Sequence, residues 1–171
     1  MLPLQQIEMS YEMADASLLA VKLALDRKRW SIGFEEYFSG IYLAHREALL
    51  AFWRDSKKLD VFLRDSCGLS EPVWFYWIDF YMSVRNDAKW KEGMIVPHSR
   101  ALNVILNEAA KLALKEAKKS SGKPQLGVEH FVKALAAHPE LQFSRKMLES
   151  GMKRQALLRT PVRLKPRRRQ D

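Results

Sequence analysis

Cysteine and long apolar runs are scarce in this sequence, and each scarcity argues against a class of protein. Cys67 is the one cysteine among 171 residues, so no disulfide can form within the chain and nothing indicates secretion. No apolar run approaches the roughly 20 residues of a membrane-spanning helix, and the N-terminus lacks the basic flank and apolar stretch of a signal peptide. We therefore expect a soluble, cytoplasmic protein with no membrane partner, in which Cys67 is a buried structural thiol.

Motifs of common enzyme classes are also missing. Gly122-Lys123 resembles part of a phosphate-binding loop, but Ala117 stands where the first glycine belongs, and Pro124 replaces the Ser or Thr that would bind magnesium. The four histidines show no metal-ligand spacing, and no Ser-His-Asp arrangement can be assigned. The sequence thus predicts a protein that is not an enzyme and that uses no cofactor and no metal.

Positive charge is concentrated at the C-terminal end. The net charge is +9, yet residues 153–171 contain eight Lys and Arg side chains against Asp171 alone. The high isoelectric point of about 9.7 therefore describes a tail more than a domain. Such a tail could contact phosphates, so nucleic-acid binding through it is kept as an alternative function.

Apolar residues recur at helical spacing through most of the chain, and no alternating strand pattern is evident. The sequence therefore predicts an all-α fold in one domain. Predicted helices span 10–29, a long second helix through Trp53, 57–66, 99–119, 127–137, 141–150 and 152–159. Residues 73–82 form a further predicted helix, aromatic on every side, which we interpret as buried between the two halves rather than as an exposed aromatic interface.

Two stretches of the chain repeat the same pattern. Ile32–Ile41 and Leu126–Leu135 each read apolar, Gly, apolar, Glu, followed by a helical run. A long helix with an apolar face precedes each copy; the predicted faces are Ala14, Leu18, Val21 and Leu25 in the first, and Leu102, Ile105, Leu106, Ala109, Leu112 and Ala113 in the second. A short helix that ends in glycine, at Gly68 or Gly151, follows each copy. This internal repeat predicts two equivalent helical units.

The ordered set of motifs resembles the Clp N-terminal domain, the double Clp repeat that precedes the ATPase modules of Clp-family AAA+ unfoldases. The matching segments are 24–25, 32–35 and 67–69 in the first half, and 99–102, 126–131 and 149–151 in the second. The resemblance implies two pseudo-repeated four-helix motifs that form one domain. It also implies a protein or peptide partner: an unfolded substrate, an adaptor, or an AAA+ unfoldase that acts in trans. A type VI secretion accessory role is a further alternative.

The repeat sets the expected domain boundaries. Residues 1–9 are expected to be a loose leader, followed by a first Clp-like repeat at 10–85, a linker at 86–98, a second repeat at 99–160 and a basic tail at 161–171. The first repeat is longer between its Glu and its terminal Gly, and the excess is close to three helical turns. We expect this insertion near 45–55, either extending the second helix or adding a helical segment.

The residues that open the two repeated helices are the predicted peptide-binding site: Phe34, Glu35, Val128 and Glu129. The resemblance implies that Glu35 and Glu129 could bind phosphoarginine on marked substrates, since a carboxylate pairs well with a guanidinium. Many members of the family have Thr between the Gly and the Glu, whereas this chain has Phe34 and Val128. These apolar residues favour a hydrophobic peptide or an amphipathic helix over phosphoarginine. Glu35 and Glu36 could also suggest acid–base chemistry, but glutamates near a helix start are more typically favoured by the helix dipole.

Overall fold

A computed structural model of the chain describes residues 1–69 and 96–158. Within these ranges the chain forms seven α-helices: α1 (Tyr11–Asp26), α2 (Phe34–Leu50), α3 (Ser56–Cys67), α4 (Arg100–Ser120), α5 (Val128–Ala136), α6 (Gln142–Glu149) and α7 (Arg154–Leu158). A 3-10 helix at Pro3–Gln6 and two strands of two residues, β1 (Glu8–Met9) and β2 (Gln125–Leu126), complete the described elements. The all-α prediction is confirmed. The predicted aromatic helix at 73–82, most of the linker at 86–98 and the basic tail at 161–171 lie outside the described residues.

Side-chain caps explain where three of the helices begin. Ser10, Asp55 and Ser99 each accept a hydrogen bond from the backbone N–H three residues later, at the starts of α1, α3 and α4. These bonds satisfy donors that a helix start otherwise leaves unpaired. α2 and α5 instead begin after Gly33 and Gly127, at the two helix starts that the repeat predicts.

The buried face of α1 differs from the predicted one. Met13, Ala16, Leu19, Ala20, Leu23 and Ala24 are buried, whereas the predicted face of Ala14, Leu18, Val21 and Leu25 is exposed or half-buried. The helix is apolar on almost every side, so spacing alone does not fix its orientation. Gly40 of α2 does so, because a Cβ at that position would lie 2.5 Å from the carbonyl oxygen of Ala16. The two helices therefore pack at a distance that only glycine allows.

The insertion takes the second of its two expected forms. α2 does not continue through Trp53: it kinks at His45, whose φ of −143° and ψ of 56° are not helical, and it ends at Leu50. The His45 Nε2 atom lies 2.6 Å from Asp15 Oδ2 of α1, which holds the kink against that helix. Trp53 follows in a turn, is 1% exposed, and donates its indole N–H to Ser150 Oγ at 2.9 Å. The insertion thus adds a helical segment and a turn that contacts the second half of the chain.

The first nine residues are not a loose leader. β1 pairs in parallel with β2, with Glu8 opposite Gln125 and Met9 opposite Leu126. Half-buried apolar side chains in this segment, those of Leu4, Ile7 and Met9, pack against the core. Contacts with residues far along the chain therefore hold this segment in place, and a local sequence pattern does not reveal them.

A second short pairing mirrors the first. Ile32 pairs in parallel with His98. The Ser99 N–H donates to the Ile32 carbonyl at 2.8 Å, just as the Ser10 N–H donates to the Leu126 carbonyl at 2.9 Å. Each pairing thus joins the residue two positions before a glycine-started helix to the residue two positions before a serine-capped helix.

The starts of α2 and α5 meet in the core. Tyr37 and Phe131 are the fourth residues of these two helices, both are fully buried, and their ring centroids are 5.3 Å apart. Burial raises the pKa of Tyr37 to about 12, and its hydroxyl lies 2.6 Å from Ser17 Oγ. Equivalent positions of the two halves are therefore in direct contact, which is compatible with an internal twofold arrangement.

Candidate functional site

The four residues predicted to bind a peptide open two different helices, and they differ in exposure. Phe34 is half-buried, and its ring stacks on Phe143 of α6 at 5.5 Å. Val128 is only 4% exposed and belongs to the core, so its side chain offers no open surface to a ligand. The carboxylates of Glu35 and Glu129 are 38% and 42% exposed. Three of the four predicted residues thus retain accessible surface.

Glu35 already has a partner within the chain. Its Oε2 atom lies 2.8 Å from Nη1 of Arg29, and both side chains are partly exposed. The same Arg29 nitrogen is 3.5 Å from Oε1 of Glu36. A ligand guanidinium would therefore have to share Glu35 with Arg29, while an anionic group on a ligand could reach Arg29 itself.

Glu36 has a structural role. Its side chain is fully buried, its Oε2 accepts a hydrogen bond from Arg27 Nη1 at 3.0 Å, and its Oε1 accepts one from the Gly33 N–H at 3.3 Å. Arg27 also donates to the carbonyl of Cys67 at 2.7 Å, which ties the end of α3 to the start of α2. Glu36 replaces the missing side-chain cap at Gly33, so this carboxylate is not available for acid–base chemistry.

His130 occupies the same third position in α5, and its ring nitrogens make the contacts that the carboxylate oxygens of Glu36 make in α2. Its Nδ1 accepts a hydrogen bond from the Gly127 N–H at 2.9 Å, and its Nε2 lies 2.7 Å from Glu116 Oε2. Since Nδ1 is an acceptor, the ring proton of the neutral imidazole sits on Nε2 and is donated to Glu116. Arg27, directly after the end of α1, and Glu116 of α4 are equivalent positions when counted from the helix starts. Each half therefore has an acid–base pair at this place. The acidic residue is Glu36 of α2 in the first half and Glu116 of α4 in the second.

Cys67 is buried, as the sequence predicts. It is 2% exposed and unpaired, and burial raises the pKa of its thiol to about 12. The thiol therefore stays neutral at physiological pH, which argues against a role as a nucleophile.

Trp30 is a feature that sequence reasoning missed. It is 94% exposed, and it follows Arg29 in the turn that leads into α2. Tryptophan is buried on average, and at protein interfaces it is among the residues that contribute most to binding. The signal in the sequence is a tryptophan placed in a polar turn, between a helix end and a glycine-started helix. Trp30 directly follows Arg29 of the Arg29–Glu35 pair in the chain, whereas Pro124 holds the equivalent place before α5.

Two common kinds of site find no support in residues 1–69 and 96–158. These residues contain no group of three or more His, Cys, Asp or Glu side chains that could hold a metal ion. None of their helices has the length and apolar character needed to cross a membrane.

Comparison with known proteins adds no assignment, since no family model matches the sequence and no curated protein is detectably similar to it.

Proposed function

We propose that this chain is a non-enzymatic interaction module of the Clp N-terminal type, which binds a peptide at the start of α2. The observation that carries this proposal is Trp30, a 94% exposed side chain that directly follows Arg29 of the Arg29–Glu35 ion pair in the chain. The mirrored strand pairings and the equivalent helix starts support the Clp-type architecture. In this role the module recognises a cytoplasmic substrate or adaptor for an AAA+ unfoldase that acts in trans.

Binding would combine an apolar anchor with charge recognition. The Trp30 ring supplies apolar surface, and the accessible part of Phe34 supplies more at the start of α2. Glu35 can pair with a basic side chain of the peptide, and Arg29 with an acidic one. An unfolded segment or an amphipathic helix that carries both apolar and charged groups fits this surface.

Phosphoarginine is a second candidate ligand for the same place. Its guanidinium could pair with Glu35 and its phosphate with Arg29, because the two side chains are adjacent and both partly exposed. Phosphoarginine would first have to break the existing Arg29–Glu35 ion pair, which lowers its affinity. We therefore place a peptide ahead of phosphoarginine.

Calorimetry tests the proposal with two ligands, a peptide from an unfolded protein and free phosphoarginine. We expect Trp30→Ala and the double variant Glu35→Ala/Glu129→Ala to weaken peptide binding about tenfold or more, which is about 1.4 kcal/mol of binding free energy. Leu112→Ala, which removes a 40% exposed apolar side chain from α4, is the matched control and should bind as the wild type does. If both ligands bind both site variants with wild-type affinity, the site lies elsewhere and the proposal fails. Stoichiometric ATP binding or hydrolysis by the chain would also contradict it.

The alternative function is nucleic-acid binding through the basic tail. Eight basic residues in 153–171 motivate it. Weak, salt-sensitive DNA binding that disappears when 159–171 are deleted would support a tail effect, and affinity that survives the deletion would support a DNA-binding domain. A role beside type VI secretion remains a third proposal.

A further inference from the structure

A cleft of about 840 Å³ lies between α3 and the segment from the end of α6 to α7, and neither Trp30 nor Glu35 lines it. Its volume falls within the range of ordinary ligand sites. Five cationic side chains line it: Arg54, Lys57, Lys58, Lys146 and Arg154. We call it the basic cleft.

The cations of the basic cleft have few acidic partners among the described residues. None of the five makes an ion pair within the part of the chain that the structure describes. Two carboxylates also line the cleft; Asp65 is paired with Arg64 at 3.1 Å, which leaves Glu149. An excess of unpaired positive charge around one concavity is complementary to an anionic ligand.

The placement of these cations works against the stability of the helix that carries them. Lys57 and Lys58 stand in the first turn of α3, which contains no acidic residue. The positive end of the helix dipole disfavours cations there. Helix formation therefore does not explain these lysines, whereas attraction of an anion does.

One lysine of the cleft packs against a glycine of the facing segment. Gly151 has φ of +94°, and a Cβ added to it would lie within contact of the Lys58 side-chain carbons. Lys58 thus lies across the glycine backbone, which directs its stem along the wall of the cleft.

Part of the lining between the charges is apolar. Val61 is 44% exposed and Leu148 is half-buried, so both present apolar surface in the cleft, next to the polar side chains of Ser66 and Ser150. Phe62 is only 3% exposed, so it offers no ring face on which a nucleic-acid base could stack. Apolar wall and cationic rim together suit a peptide that has apolar and acidic side chains rather than a nucleic acid.

We propose that the basic cleft binds an acidic amphipathic segment of a partner protein, with its apolar side chains against Val61 and Leu148 and its carboxylates at the lysines and arginines. This second binding surface does not rest on the peptide site at Trp30. A chain with both surfaces could hold two segments at once.

Fluorescence anisotropy tests the proposal with a labelled peptide of about 14 residues in which Leu recurs every third or fourth position among glutamates. Lys57→Glu/Lys146→Glu reverses two charges in the cleft, and we expect at least tenfold weaker binding. Lys115→Glu/Lys118→Glu makes the same change of net charge on exposed lysines of α4, and it should leave binding within about twofold. Trp30→Ala should also leave it unchanged, which separates the failure of this proposal from the failure of the other site.

Three comparison ligands decide the class of ligand. Two are variant peptides, one with Gln in place of Glu and one with the leucines moved off the spacing of three to four residues, and each should bind at least tenfold more weakly. Equal weakening by the cleft and α4 variants would overturn the proposal, because the peptide would then respond to net charge alone. If single-stranded DNA of the same charge binds as tightly as the peptide or more tightly, the proposal is also overturned, because the cleft would then bind polyanions in general. Near-ultraviolet circular dichroism of each variant confirms that the fold is intact.

Discussion

Glu36 and Glu35 are neighbours in the sequence with opposite environments. Glu36 is fully buried and holds Arg27 and the Gly33 N–H, whereas Glu35 is 38% exposed and pairs with a half-exposed arginine. Removing one partner of a buried ion pair destabilises the fold far more than removing a surface ion pair, because the remaining charge is left buried and unpaired. The structural role of Glu36 and the ligand-binding role that we propose for Glu35 can therefore be separated by mutation.

We expect Glu36→Ala to lower the free energy of unfolding by about 3 kcal/mol, since it leaves Arg27 and the Gly33 N–H without their acceptor. Glu35→Ala should lower it by less than about 1 kcal/mol. Urea denaturation followed by circular dichroism measures both values. Similar losses for the two variants would show that the buried contacts of Glu36 stabilise the fold no more than the surface ion pair of Glu35 does.

At the level of elements, side chains stabilise the starts of α1 to α5, and α3 differs from the others in the charge of its first turn. Ser10 and Ser99 cap α1 and α4, and the third-position side chains of Glu36 and His130 do so for α2 and α5. α3 has the Asp55 cap but then two lysines, whereas α4 ends with Lys118 and Lys119 at the end that favours cations. The same residue type therefore opposes one helix and supports another.

Lys57→Glu should raise the free energy of unfolding by about 0.3–1 kcal/mol, because it places an acidic side chain at the positive end of α3. Lys118→Glu should lower it by a similar amount, because it removes a cation from the last turn of α4. Thermal and urea denaturation at low ionic strength measure the pair, and both shifts should shrink as salt is added. Destabilisation by Lys57→Glu would mean that Lys57 has a contact within the fold, and would remove the argument that its position serves a ligand.

At the scale of the whole molecule, the N-terminal segment is part of the fold. The Leu4 N–H donates to Asn107 Oδ1 at 3.1 Å, and the backbone of β1 pairs with that of β2. The one ion pair across this contact, Lys123–Glu8, is largely exposed and contributes little. Backbone pairing and apolar burial therefore account for its attachment.

Deletion of residues 1–9 should lower the free energy of unfolding by roughly 2–4 kcal/mol, from the lost burial of three half-buried side chains and the lost backbone hydrogen bonds. Glu8→Ala, which removes only the exposed ion pair, should change it by less than about 1 kcal/mol. Denaturant titration of the three proteins checks both values. A truncated chain as stable as the full one would show that residues 1–9 do behave as a loose leader.

Features encoded within a few residues were predictable, and features that depend on distant partners were not. The starts of α2 and α5 follow from a local glycine and a helical run, and Ser99 caps α4 as its sequence context suggests. The burial of Val128 and the exposure of Trp30 depend on what packs nearby. The basic cleft draws cations from three separate segments, so no single stretch of sequence reveals it.

The two crossed pairings affect the order in which the chain can fold. Met9 finds its partner at Leu126, and Ile32 finds its partner at His98, so each half is completed by a residue that belongs to the other. During synthesis on a ribosome, the first half emerges long before the residues that it needs. Contacts between remote residues slow folding, and a waiting half exposes apolar surface. The nascent chain is therefore most vulnerable to aggregation and proteolysis in the interval before Leu126 leaves the ribosome.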